Sequence, residues 1–118
     1  MKNLREKEQL YKKITLQFSY SELVYKEYLN SGKKFVYASI LRDINERIYN
    51  LISLKSDIFS VEMQDDLIAL MFHLDVWRTI WENEFLSQKP DLNSSFEFEN
   101  DVTFPKDSIH RILDYLHK

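Results

Sequence analysis

The side chains best suited to chemistry in this chain are two pairs of acids and a small set of histidines. Asp43 and Glu46 form D-x-x-E, and Glu62 and Asp65 form E-x-x-D a short way downstream. Carboxylates are hard oxygen ligands, so such pairs on neighbouring helices suit magnesium. His110, Asp114 and His117 fall at i, i+4 and i+7, along one side of a helix, where two imidazoles and a carboxylate suit zinc. A terminal helix backs such a site weakly, and an exposed polar face accounts for the same spacing. His73, between Phe72 and Leu74, reads as a histidine hydrogen-bonded in or beside a core. Other chemistries are excluded. Without cysteine there is no disulfide, thiolate nucleophile or cysteine-held metal. The lone glycine, Gly32, cannot build a phosphate-cradling loop, and no serine sits in a G-x-S-x-G elbow.

The paired acids resemble a reduced form of the acidic motifs of the all-α nucleoside triphosphate pyrophosphohydrolases. In that family, carboxylates on neighbouring helices hold magnesium against a polyphosphate. The resemblance implies Asp43, Glu46, Glu62 and Asp65 as ligands and magnesium as cofactor. It covers a minor part of the chain, and the first motif departs from the family by having Asp43 in place of glutamate. Glu46 also belongs to the polar face of its helix, whereas a metal cage must point into the bundle. The competing reading needs neither cofactor nor catalysis: a solvated helix face, then acids in the opening turns of the next helix, where the dipole favours them.

A different kind of constellation lies between Phe72 and Phe85. Trp77 and Trp81 are one helical turn apart, with Arg78 beside them and Phe85 a further turn on. Tryptophan, tyrosine and arginine dominate protein–protein hot spots. Phe72, Trp77, Arg78, Trp81 and Phe85 are therefore the candidate interface residues. The chain holds eight Phe, seven Tyr and two Trp, more ring surface than a small core needs.

The elements that position these residues follow from periodicity. One glycine and two prolines leave few tight reversals, so long helices are expected. Leu4, Tyr11, Ile14, Phe18, Tyr25 and Tyr28 mark one face of a helix from about Asn3 to Asn30, roughly 40 Å long. Ser19–Glu22 has the form of a capping box, but the stripe continues through it in register. Gly32 sits where a helix C-cap wants it. A second helix from Lys33 to about Leu54 carries Tyr37, Ile40, Leu41, Ile44, Ile48, Leu51 and Ile52 opposite a polar face.

Ser60 reads as the N-cap of a third helix, about Val61 to Ser87. This helix bears one stripe of Met63, Leu67, Leu70, Leu74, Trp77, Trp81 and Phe85, and a second of Ile68, Met71, Phe72, Val76 and Ile80. Apolar over most of its circumference, it is expected to be central and buried on several sides. A loop from Gln88 to Ser95 precedes Phe96–Phe104, whose alternation predicts a small β-hairpin at 96–104. Pro105 then opens a short helix carrying Ile109, Ile112, Leu113 and Leu116. The expected fold is all-α: one domain over 1–118, an up-down bundle of about four helices, three long and one short.

Composition sets the remaining bounds. Hydrophobic content of 44% and charge of 30% are ordinary for a globular chain, so disorder is not indicated. A net charge of −3 without a basic stripe argues against nucleic acid. The longest apolar run, Leu67–Phe72, is far short of a membrane span, and the polar N-terminus does not read as a signal peptide. A cytoplasmic location is expected. The functional expectation is a non-catalytic protein-binding module (an adaptor, an inhibitor or an immunity-type protein). It would self-associate, as a dimer, through its aromatic-rich helices.

Overall fold

Four helices, α1 (Lys2–Asn30), α2 (Phe35–Leu54), α3 (Gln64–Gln88) and α4 (Lys106–His117), follow one another in the computed structural model, which describes residues 2–98 and 104–118. α1 packs on α2 and α4, and α3 packs on the same two, so the helices form a ring with α1 and α3 at opposite corners. Successive helices run antiparallel, and the body extends 49 × 22 × 21 Å. The all-α up-down bundle expected from the sequence is the observed fold.

α1 is continuous for 29 residues with no glycine or proline inside it, and Ser19–Glu22 does not break it. Its buried line is Leu10, Ile14, Val24 and Tyr28. The stripe read from sequence is partly out of phase, because Leu4 and Tyr25 are exposed. A heptad spacing drifts by about 20° per repeat against a straight helix. Three repeats separate Leu4 from Tyr25, so the two lie about 60° apart around the helix and do not mark one straight line.

The reversal into α2 uses Gly32 at φ 82° and Lys33 at φ 61°, and the Lys33 N–H donates to the Tyr28 carbonyl at 2.7 Å. This is the left-handed helix ending expected of Gly32. α2 buries Phe35, Ala38, Leu41, Ile44, Ile48 and Ile52 at helical spacing. Two 3-10 turns, Ser56–Ile58 and Val61–Met63, then lead to α3. Ser60 makes no side-chain cap, and α3 starts at Gln64, later than predicted.

α3 ends at Lys89 in the left-handed conformation, φ 46°, just before Pro90. The following segment returns along the α1–α2 turn. Phe35 N–H donates to the Ser94 carbonyl and Phe96 N–H to the Lys33 carbonyl, both at 2.8 Å, making one antiparallel bridge between Lys34 and Ser95. No strand forms among the described residues. Phe96–Phe98 follows this bridge without regular secondary structure, and 99–103, the middle of the predicted hairpin, lies outside the described residues. Within 96–98 the alternation serves packing, since residues two apart in an extended segment share a side. Phe96 is fully buried and Phe98 packs beside it.

α4 runs from the middle of α3 down to the start of α1. Ile109, Ile112 and Leu116 enter the core. Ser108 and Arg111 bind Asp66 of α3, while the Tyr115 hydroxyl donates to the Ile58 carbonyl and accepts from Ser60 N–H.

Candidate protein-docking face

The five interface candidates do not share one surface. Trp81 is 1% exposed, and its indole N–H donates to the Ala38 carbonyl at 3.2 Å. Its ring lies 5.3 Å from Phe96, 5.5 Å from Phe85 and 5.6 Å from Phe35, with the Arg42 guanidinium 4.9 Å above it. Trp81 is thus a core residue that locks α3 to α2. Its assignment to a docking surface is corrected. Phe85 closes the same cluster, with one edge open to solvent.

Trp77 is half-buried, perpendicular to Phe98 at 5.2 Å. Arg78 is held in the seam between α2 and α3, where it donates to Asp75 at 2.8 Å and lies 5.9 Å from the Tyr49 ring. The seam cavity, lined by Arg42, Glu46, Tyr49, Asp75 and Arg78 among others, measures about 10 Å³. That is room for no more than about one water molecule.

Only Phe72 points fully outward. It is 60% exposed and lies nine residues from Trp81, half a circle around the helix. Along its side run Asp65, Ile68, Val76, Thr79, Asn83 and Leu86. Ile68 and Leu86 are 62% and 69% exposed, and Val61 in the preceding turn is bare as well. Asp65 is the single charge on this line. The second apolar stripe predicted for α3 is therefore uncovered on one side rather than buried on several. The ring of helices explains it: α3 meets α2 and α4 on its inner flanks and nothing described beyond. Sequence reading missed Leu86 as a surface residue and took Ile68 as core. The available signal was the uncharged polar pair Thr79 and Asn83 interrupting the stripe.

The acids of the magnesium reading do not come together. Trp81 against Ala38 and Tyr49 against Asp75 fix the antiparallel register of α2 and α3. Asp43 and Glu46 therefore lie level with Asp75 to Trp81, more than two turns from Asp65 in the first turn of α3 and from Glu62 in the 3-10 turn before it. Asp43 pairs with Arg42 at 3.3 Å, and Glu62 and Asp65 face solvent. Among the described residues, no group of three or more His, Asp or Glu side chains is disposed to hold a metal. His110 and Asp114 are exposed, and the His117 ring lies 5.0 Å from Tyr11.

The perturbed ionisations belong to packing. The Asp66 carboxylate takes Arg111 Nε at 2.9 and 3.0 Å and the Ser108 hydroxyl at 3.0 Å. The Arg111 hydrogen bond, outweighing partial burial, holds its carboxyl below the usual range. Burial pushes His73 down; its ring meets Phe104 edge-on at 5.4 Å, and its Nδ1 has no hydrogen-bond partner among the described residues. Burial, with Glu97 and Tyr25 nearby, pushes the Tyr28 phenol up to about 12, which keeps it protonated to donate to the Phe96 carbonyl.

Among the described residues, no helix is long and apolar enough to cross a membrane. Comparison with protein-family models, with curated proteins and with solved structures finds no match.

Proposed function

We propose that this chain is a cytoplasmic, non-catalytic protein-binding module, an adaptor, an inhibitor or an immunity-type protein, that self-associates. The observation that carries the reading is the outer line of α3, where Ile68, Phe72 and Leu86 stand exposed beside a single charge. Interface cores are depleted in charge and enriched in aromatic residues, and a contiguous apolar patch on a small domain marks a contact site. A straight helix with such a line fits an amphipathic helix of a partner, laid along it with apolar anchors one turn apart.

A photo-crosslinking residue placed at position 72, and in parallel at the exposed Asn50 of α2, tests the docking face in cells. The expected result is a defined adduct from position 72 that Ile68→Glu abolishes, and none from position 50. Equal adducts from both positions, or adducts indifferent to Ile68→Glu, overturn the assignment. Sedimentation tests self-association: a single 14.3 kDa species throughout the micromolar range overturns it.

A further inference from the structure

The outer face of α1 carries charge and apolar surface in a fixed order. Arg5, Lys12 and Lys13 lie toward its beginning, Leu16, Tyr20 and Leu23 occupy the middle, and Glu27 follows. All are exposed, Leu16 by 66% and Leu23 by 58%. At 100° per residue they fall within a sector of about 100°, one face of a helix. α2 and α4 pack on another side, about a third of a turn round the helix, where Leu10, Ile14, Val24 and Tyr28 are buried.

We infer that this face joins two copies of the chain, their α1 helices antiparallel across a two-fold axis near residues 19 and 20. The inference rests on the self-association proposed above and names its surface. The two-fold sets Leu16 of one copy level with Leu23 of the second copy, and Tyr20 beside the axis. It also sets Lys12 level with the second copy's Glu27, and Lys13 one residue, about 1.5 Å, from that level. A parallel pairing sets lysine against lysine instead, so the order of charges selects the antiparallel one. A two-fold contact must be self-complementary, and a face that is basic at one end and acidic at the other meets that condition by rotation alone. The outer line of α3 does not, because Asp65 finds no cation under any such rotation. Because α1 and α3 occupy opposite corners of the ring, pairing through α1 leaves both α3 faces outward, and the dimer is bivalent.

Sedimentation equilibrium on the full chain and on Lys13→Glu, Glu27→Lys and the double variant tests this. Far-ultraviolet circular dichroism confirms that each keeps its helices. A dimer dissociating in about the micromolar range is expected for so narrow a contact. Each single reversal sets like charges together twice across the axis and weakens it by about tenfold or more, while the double reversal restores it to within about threefold. A dimer that ignores both single reversals overturns the α1 surface and leaves self-association standing. Weakening by the single changes without rescue in the double variant overturns the antiparallel pairing. A wild-type chain that stays monomeric at about 100 μM overturns self-association itself.

Discussion

The two ends of the bundle are closed by different means. At the upper end α1 finishes, α2 starts and α3 finishes, and α4 does not reach. Two residues of an extended segment take the place of a fourth helix there, Phe96 and Phe98. They join Phe35, Trp77, Trp81 and Phe85 in a cluster whose ring centres lie 5.2 to 5.6 Å apart. At the lower end α4 supplies aliphatic side chains, Ile109, Ile112 and Leu116, and is pinned by polar contacts through Asp66 and Tyr115. An aromatic ring buries 150 Å² or more, roughly speaking, so two rings can close a gap that a twelve-residue helix closes with several smaller side chains. The upper end is held by ring packing and by the Tyr28 phenol, which titrates only in strong alkali, and the lower end partly by groups that titrate in acid.

The largest expected effect tests the upper end. Trp81→Ala removes the ring on which Phe35, Phe85 and Phe96 all pack and leaves the Ala38 carbonyl without its donor, so unfolding should cost about 3–5 kcal/mol less. Chemical denaturation measures it. Phe96→Ala should fall in the lower half of the same range, because its neighbours are side chains of three other segments that can partly collapse. The contrast between the ends breaks down if Trp81→Ala costs no more than Ile112→Ala in α4.

Next in size comes the lower end's charged clamp. Asp66 is 11% exposed at its side chain and Arg111 59%, so solvent screens the pair and discounts it. Asp66→Ala should cost about 1–2 kcal/mol, most of it from the lost hydrogen bonds of a largely buried carboxylate. The sign with pH follows from its lowered pKa. The stabilisation is present above the ordinary carboxylate value of 3.8 and is lost as pH falls through the lower, folded value. Asp66→Asn should flatten that acid limb. His73 acts earlier in an acid titration. Its folded pKa lies below the ordinary 6.5, so the unfolded chain takes up the proton first and stability falls as pH drops below that value. His73→Phe should remove this loss. Together they make the lower end the acid-sensitive one, checked by hydrogen exchange of α4 and α1 amides at graded pH. Earlier loss of protection at the upper end contradicts it.

How much of this was legible in the sequence depends on whether the signal was local. Gly32 ends α1 and Pro105 precedes α4, because left-handed backbone and a missing donor act within a turn. The α2 core of Ile44, Ile48 and Ile52 could be read because a short helix keeps its phase. Trp81 and Phe72 could not be told apart. Both are aromatic residues on one helix, and what buries Trp81 is the arrival of Phe96 from beyond Pro90. The acid pairs had suitable spacing within each helix, but their distance apart depends on how α2 and α3 slide past each other. Trp81 and Ala38 set that register. The left-handed ending at Lys89 carried no sequence signal, since lysine rarely adopts it.

The smallest expected effect is the sharpest contrast with Trp81. Phe72→Glu removes a ring of similar kind from the same helix, but one that is 60% exposed and packs on no described helix opposite. Glutamate is a good helix former, so stability should change by less than about 0.5 kcal/mol in either direction. The same substitution sets a charge in the middle of the charge-poor line and should abolish adducts from a crosslinker moved to position 68. Were Phe72→Glu to destabilise the fold as Trp81→Ala does, the ring would be packed in solution and the outer line of α3 would be core. A ring that costs the fold nothing to lose, yet costs a partner its grip, is what separates a docking face from an interior one.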